Sequence, residues 1–240
     1  MLRGMVNLLA KLRPTRRWLQ FSMRTVLVFV SLLCVALSLW VVPLERRRRA
    51  VAAIEALGGR VTFIDSQTAN ESFPKTVLRR WLPQAYFDDV ENVGFVYSQV
   101  TDAGLAPLEG LTTLQSLDLG ATQVTDAGLV HLQGLTGLQS LSFINTQVTD
   151  AGLLQLQTLA GLQGLFLTST QVTDSGLAHL KGLTSLQWLS LAETHVTDAG
   201  LANLKGLTGL KMLVLSNTKV TDDGVAELRK TLPNCQIFGP

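Results

Sequence analysis

The 240-residue chain is poor in the residues that disulfides and metal centres need, with only two cysteines and three histidines. Cys34 lies in an apolar N-terminal segment and Cys235 near the opposite end, so a disulfide between them is not expected. The histidines, at positions 131, 179 and 195, lack the close spacing of metal ligands. We therefore predict no disulfide, no metal site and no cofactor.

Catalytic motifs are also missing. No nucleophile, base and orienting acid recur together in the sequence, and no Gly-rich phosphate loop precedes a helix. We predict no catalytic residues, no enzyme activity and no small-molecule substrate.

Positive charge is scarce in the C-terminal part of the chain. Residues 1–60 contain 11 Lys and Arg against 2 Asp and Glu, whereas residues 90–240 contain 6 against 12. Nucleic-acid binding requires clustered cations on a folded surface, and here the cations gather at the other end of the chain. The sequence therefore argues against a nucleic-acid partner.

What the sequence does contain is a repeat of 24 residues, a period that is typical of a solenoid. The tripeptide Val-Thr-Asp marks it, with copies beginning at Val100, Val124, Val148, Val172, Val196 and Val220.

The unit at residues 114–135 predicts a strand followed by a helix. Three leucines of the strand face the core, and three more, spaced three apart, form an apolar helix stripe that packs on them. Thr125 or Asp126 is placed to cap the helix, and Gly134 suits the turn after it. The leucines are Leu114, Leu117, Leu119, Leu129, Leu132 and Leu135. Strands are expected to begin near Val90, Leu114, Leu138, Leu162, Leu186 and Leu210, with a last edge at Cys235 to Phe238.

The run Leu-x-x-Leu-x-Leu, followed by Thr-Asp-x-Gly-Leu-x-x-Leu-x-x-Leu, resembles the leucine-rich-repeat family over about residues 90–238. The resemblance implies an α/β solenoid with a parallel sheet on the concave face and short helices on the convex face. Many family members carry an asparagine ladder in the turn after the strand, where this chain has threonines. Their hydroxyls are expected to bond neighbouring backbone groups. They are Thr122, Thr146, Thr170, Thr194 and Thr218, with Ser98 first.

A column of aspartates recurs at the predicted helix starts. A calcium site is one interpretation, but hard cations need six to eight converging oxygens. Stabilisation at a helix N-terminus explains the carboxylates without a metal, and it is the interpretation we prefer. The column consists of Asp102, Asp126, Asp150, Asp174, Asp198 and Asp222.

The 18 residues from Thr25 to Val42 carry no charge, and 12 of them are Val, Leu or Phe. As a helix they extend about 27 Å, close to the thickness of a bilayer core, so we predict a single membrane span. A buried core helix and a cleaved signal peptide, with Ala50-Val51-Ala52 as the cleavage site, are the alternatives.

The predicted organisation is a basic cytoplasmic tail at 1–24, a transmembrane helix at 25–42, a juxtamembrane helix and N-terminal cap at 43–89, and the repeat domain at 90–240. A helix is expected at 45–57, ended by Gly58-Gly59, with a short strand at 60–64. The cap at 74–87 covers the open side of the first repeat. Its aromatic residues Trp81, Tyr86 and Phe87 have a ligand cage as their alternative role. Cations flank the span on both sides, and we expect the repeats outside the cytoplasm.

Function is expected where the copies differ, on the strand positions that face the solvent. The first repeats carry small and polar residues there, whereas the later ones carry large apolar groups, and an exposed patch of this kind marks a partner surface. The predicted ligand-binding residues are Ile144, Phe166, Trp188, Met212 and Val214.

The sequence therefore predicts a membrane-anchored protein that binds a protein or peptide through its concave sheet. The whole chain resembles the membrane-anchored leucine-rich-repeat proteins of planctomycete-type bacteria. Two alternatives remain. The repeats are also similar to those of F-box substrate receptors, although no F-box-like module precedes them, and the array can be a structural or self-associating spacer.

Overall fold

The computed structural model describes residues 23–63 and 89–239, and the chain divides into two compact units at Arg46/Arg47. Helix α1 spans Met23–Ala56. It ends at Ala56, one residue before the predicted end, and Gly58 follows with a φ of +80°, the left-handed conformation that stops a helix. The basic tail up to residue 22 and the predicted cap at 74–87, with its aromatic residues, lie outside the described residues.

The predicted membrane span at 25–42 is not confirmed. Among the described residues, no helix has the combination of length and apolar character that crossing a membrane requires.

An eight-stranded sheet runs through the second unit in sequence order, from β1 to β8. Strand β1 is antiparallel to β2, and all later neighbours are parallel. The strands are β1 Arg60–Phe63, β2 Val90–Gly94, β3 Ser116–Asp118, β4 Ser140–Ser142, β5 Gly164–Phe166, β6 Trp188–Ser190, β7 Met212–Val214 and β8 Gln236–Phe238. The predicted strand positions are correct to within about two residues.

The strands align because the repeat length is constant. In β3 to β6 the central leucine points into the core, and its partner in the next strand is the equivalent leucine 24 residues later, as for Leu141, Leu165 and Leu189. The two flanking residues point to the opposite face of the sheet. Each new unit therefore extends one hydrophobic core.

The convex side consists of short helices, several of them 3-10 rather than α. The leucine stripe predicted for the helix is present, since Leu129, Leu132 and Leu135 are fully buried. The α-helices are α2 Asp150–Leu153, α3 Asp174–Leu177, α4 Asp198–Leu201 and α5 Asp222–Thr231. The 3-10 helices are Asp102–Leu108, Asp126–Leu132, Leu154–Thr158, Ala178–Gly182 and Ala202–Leu204.

The first repeat is covered by residues that the sequence assigned to the juxtamembrane helix. Ile54 in the last turns of α1 is fully buried and belongs to the same hydrophobic core as the leucines. Val51 and Val61 pack against this core, and Arg47 forms an ion pair with Asp89. The end of α1 and strand β1 therefore form at least part of the N-terminal cap.

The turn threonines bond within their own unit. Thr122 donates its hydroxyl hydrogen bond to the Leu119 carbonyl at 2.7 Å, and four equivalent threonines do the same. The residue before each threonine has a positive φ, although it is never glycine. These residues are Ala121, Asn145, Ser169, Glu193 and Asn217.

The aspartate column joins neighbouring units as well as lying at the predicted helix starts. In five units the threonine before the aspartate caps the helix start, as Thr149 does by accepting from Ala151 N at 3.3 Å. The carboxylate instead reaches the next unit: Asp126 accepts from both the backbone N–H and the hydroxyl of Thr149. Five such pairs, at 2.5 to 2.8 Å, form an Asp–Thr ladder along the array. The hydrogen-bond cap is therefore the threonine, one of the two predicted candidates, while the aspartates lie in the first helical turn as predicted and also bond the next unit.

Candidate binding surface on the concave sheet

The concave face presents two columns of side chains, one on each side of the buried strand centres. Each column is in register, so equivalent positions lie about 4.8 Å apart from strand to strand. The first column runs Asn92, Ser116, Ser140, Gly164, Trp188, Met212 and Gln236. The second runs Gly94, Asp118, Ser142, Phe166, Ser190, Val214 and Phe238.

Large apolar side chains gather on the C-terminal half of these columns. Trp188 lies beside Met212 in the first column, and Val214 lies beside Phe238 in the second. Trp188 is 39% exposed and Phe238 48% exposed, whereas Phe166, Met212 and Val214 are half-buried. We call these five residues the concave cluster.

Small residues between the large ones shape the cluster. The Phe166 ring packs over Gly164, where an added Cβ would lie only 3.3 Å from the ring. Ser190 separates Phe166 from Val214 and exchanges a hydroxyl hydrogen bond of 2.8 Å with Thr168. Gly164 and Ser190 are buried, although both lie on the concave side of their strands. The surface is therefore ridged, with aromatic groups above small residues.

A cation already lies against one of the aromatic rings. The Lys211 ammonium is 5.7 Å from the centre of the Trp188 ring, within the range of a cation–π interaction. The concave cluster therefore combines apolar surface with one positive charge at its rim.

Four of the five predicted site residues, Phe166, Trp188, Met212 and Val214, lie on the three adjacent strands β5 to β7. The fifth, Ile144, is 40% exposed in the turn after β4, two strands away from Trp188. It lies at the margin of the cluster rather than inside it.

Phe238 belongs to the cluster but is absent from the predicted set. Residues 235–238 were predicted as the closing edge of the array, so the concave columns were not expected to continue into them. Its signal is the spacing: Phe238 is 24 residues after Val214 and pairs with it directly.

The N-terminal half of the concave face is small and polar. One carboxylate oxygen of Asp118 accepts the Gly120 backbone N–H at 3.0 Å. Ser142 lies beside it on β4 and is 8% exposed. Its hydroxyl is buried and, alone among the buried side-chain polar groups of the described residues, has no hydrogen-bond partner.

Other polar groups of the array have local partners. His131 Nδ1 lies 2.6 Å from the Glu109 carboxylate, and His179 Nδ1 lies 3.4 Å from the Gln157 amide. Within the described residues, no three His, Cys, Asp or Glu side chains gather as metal ligands. Cys235 is buried, and this burial raises the pKa of its thiol.

A separate hollow lies at the N-terminal end of the sheet, away from the concave cluster. Its walls are Gly58, Arg60, Gly94, Val96 and Tyr97. This hollow is not predictable from the repeat pattern, because the pairing of β1 with β2 forms it.

The repeat has a match among the known protein families. A family model described as "Leucine Rich repeat" matches residues 110–132. Among solved structures, the chain is similar to internalin C2 from Listeria monocytogenes, with 27% identity over 62% of this chain and 70% of that one, at a TM-score of 0.48. No curated protein gives a significant match. The resemblance to planctomycete-type proteins stays a prediction. The 24-residue units lie in register along the parallel strands β2 to β8, and the residues that match the leucine-rich-repeat model lie within them.

Proposed function

We propose that this protein binds a segment of another protein on its concave sheet, with the concave cluster as the main contact. The exposure of Trp188 and Phe238 beside Met212 and Val214 is the observation that carries this proposal. Large apolar side chains cost free energy when they stay in water, and their burial gives about 25 cal/mol per Å². Aromatic residues are also the commonest sources of binding energy in protein interfaces.

The rest of the repeat supports the same assignment. The leucines fill the core, the threonines close the turns, and the aspartates join neighbouring units. These residues recur because the fold needs them. The concave cluster varies between units, and nothing in the packing of the solenoid requires large residues on the exposed side of β5 to β8.

Comparative capture of partners from native membranes tests the proposal. The double variant Phe166→Ala/Trp188→Ala is compared with Val130→Ala/Leu154→Ala, which removes two convex side chains of 50% and 48% exposure. We expect the concave variant to lose the proteins that the wild-type chain retains and the convex control to keep them. Equal capture by all three proteins would contradict the proposal.

The place of action is a second part of the proposal: residues 25–42 tether the array to a membrane, with the repeats outside the cytoplasm. Since no described helix has the length and apolar character of a span, this part rests on the sequence of these 18 uncharged residues. Flotation of the full chain with membrane vesicles is compared with a Val30→Arg/Val35→Arg variant. Wild-type chain that stays with the soluble fraction would contradict the tether, and full protection of the repeats from protease in spheroplasts would contradict the orientation.

Self-association is a second candidate, because β8 is the last strand of the described sheet and exposes Phe238 at its edge. Sedimentation of the full chain over a hundredfold concentration range distinguishes the two. A mass that rises with concentration and falls to the monomer in Phe238→Ser supports self-association, whereas a constant monomer mass supports binding to a different protein.

A further inference from the structure

We propose that the concave face between β3 and β5 is a subsite for a lysine or arginine side chain of the partner, carried on an extended peptide whose apolar side chains cover the concave cluster. This inference rests on the proposed function and adds the chemistry of the partner. The subsite consists of Asp118, Ser142 and Phe166.

These three residues form one line across three adjacent strands. Asp118 pairs with Ser142, and Ser142 pairs with Phe166, so all three side chains belong to the second concave column. A carboxylate, a hydroxyl and an aromatic ring therefore follow one another at intervals of about 4.8 Å.

The hydroxyl of Ser142 is the observation that points to a ligand. It has no hydrogen-bond partner and is closed off from solvent, a state that destabilises a folded chain unless a bound group relieves it. The other concave serine of this column, Ser190, is equally buried but has Thr168 as its partner. Ser142 therefore differs from Ser190 in having a hydroxyl that no other described residue bonds, as a ligand-binding hydroxyl requires.

A cation fits all three groups at once. The Gly120 N–H donates to one carboxylate oxygen of Asp118. The second carboxylate oxygen accepts no such backbone hydrogen bond from the described residues. An ammonium or guanidinium group donates to that carboxylate and to the Ser142 hydroxyl, while the ring of Phe166 attracts it through its π face. An acidic side chain is repelled by Asp118. The array as a whole has the same bias, with 12 acidic against 6 basic residues in 90–240.

The strand spacing sets the position of the apolar side chains on the peptide. The middle of the subsite lies about two and a half strands, or about 12 Å, from the middle of the Trp188 and Met212 pair. An extended chain advances about 3.4 Å per residue and points alternate side chains to one side. A cationic residue and a large apolar residue four positions later therefore face the sheet together, with the side chain between them near Phe166. Because the Ser142 hydroxyl is covered in the free chain, the side chains around it have to move as the cation enters.

The test measures peptide binding to the full chain in detergent by fluorescence anisotropy at low salt. The first probe is a labelled peptide, Gly-Ser-Lys-Ser-Leu-Ser-Phe-Ser-Gly, and the second replaces its lysine with norleucine. Both probes are titrated with wild-type protein, Asp118→Asn, Ser142→Ala and Trp188→Ala. Glu109→Gln, which neutralises an exposed carboxylate on the convex side, is the matched control.

We expect the wild-type chain to bind the lysine peptide about tenfold more tightly than the norleucine peptide. Asp118→Asn and Ser142→Ala should each bring this ratio close to one, and Glu109→Gln should leave it unchanged. Trp188→Ala should weaken both peptides equally, because it removes a contact that they share. The melting temperature of Ser142→Ala should be equal to or higher than that of the wild type, since the hydroxyl it removes has no partner.

Three results would overturn the inference: no binding of either peptide, a wild-type ratio near one, or a ratio that both subsite variants leave intact. A lower melting temperature in Ser142→Ala would assign the hydroxyl to the fold and would also overturn it. If the lysine preference is absent but Trp188→Ala still weakens both peptides, the cation subsite is wrong and the proposed function stands. If Trp188→Ala has no effect on either peptide, the proposed function fails as well.

Discussion

The Asp174 carboxylate accepts two hydrogen bonds from Thr197 of the next repeat, one from its backbone N–H at 2.8 Å and one from its hydroxyl at 2.6 Å. The same residue pair recurs at each of five unit boundaries. The most regular polar feature of the sequence is therefore an inter-repeat connection, and its regularity carries no information about a ligand.

Removing one rung of the Asp–Thr ladder should destabilise the array. In Asp174→Ala, the N–H and the hydroxyl of Thr197 lose a charged acceptor, which costs about 2 to 3 kcal/mol of unfolding free energy. Denaturant unfolding of the full chain, followed by circular dichroism, measures this loss. Calcium and EDTA should leave the wild-type midpoint unchanged, because the carboxylate is bonded to protein; a midpoint that rises with calcium would restore the metal interpretation.

In five units, the glycine two residues after the aspartate makes room for the aspartate carboxylate of the preceding unit. A Cβ added at Gly200 would lie 2.2 Å from the Asp174 carboxylate oxygen, so Gly200→Ala should displace the carboxylate and cost about 1 to 3 kcal/mol. Gly206→Ala is the matched control, since nothing lies within 4 Å of its added methyl group and no loss of stability is expected. The two substitutions are compared by thermal unfolding. In an Asp174→Ala background, the cost of Gly200→Ala should become smaller, and an unchanged cost would refute the steric explanation.

A glycine at the left-handed turn position should stabilise the array rather than destabilise it. Ala121 has a φ of +54°, where its Cβ costs about 1 to 2 kcal/mol, and glycine has no such cost. Because glycine loses about 0.5 to 1 kcal/mol through its greater freedom in the unfolded chain, Ala121→Gly should stabilise the array by up to about 1 kcal/mol. Ala127→Gly, in the exposed first turn of a 3-10 helix, should be neutral or destabilising. A lower melting temperature for Ala121→Gly than for Ala127→Gly would contradict the assignment of strain to this position.

Acid should weaken the last rung of the ladder. The backbone hydrogen bond from Thr221, and then its hydroxyl bond, lower the pKa of the Asp198 carboxyl below its ordinary value. A carboxyl with a lowered folded-state pKa stabilises the fold above its unfolded pKa of about 3.9, and this contribution is lost as the pH falls through the folded value. NMR titration should show that Thr221→Val raises the pKa of Asp198 part of the way back, because the N–H donor remains. Thr208→Val, at an exposed turn, should leave it unchanged, and equal titration curves in all three proteins would refute the ladder as the cause.

The repeat explains which features the sequence predicts. The spacing of leucines defines the strands, because one period governs both the register of β2 to β8 and the core between them. The direction of the Asp174 side chain is not predictable in this way: its partner Thr197 is 23 residues away, and only the stacking of units brings them together. Phe238 is absent from the predicted site because residues 235–238 were interpreted as the closing edge of the array and not as part of the concave surface. The strand pattern alone does not predict the orphaned hydroxyl of Ser142, because Ser190 occupies the equivalent position and bonds Thr168.

The central claim is that binding lies on the concave residues that vary between repeats, and site-specific photo-crosslinking tests it most directly. Benzoylphenylalanine is placed at Met212 in the concave cluster or at Leu154 on the convex face of the full chain, and crosslinks are formed in native membranes. We expect one discrete crosslinked adduct with a partner from position 212, which Phe166→Ala/Trp188→Ala abolishes, and no such adduct from position 154. An adduct of equal yield from both positions, or one from position 212 that survives the double substitution, would contradict the central claim.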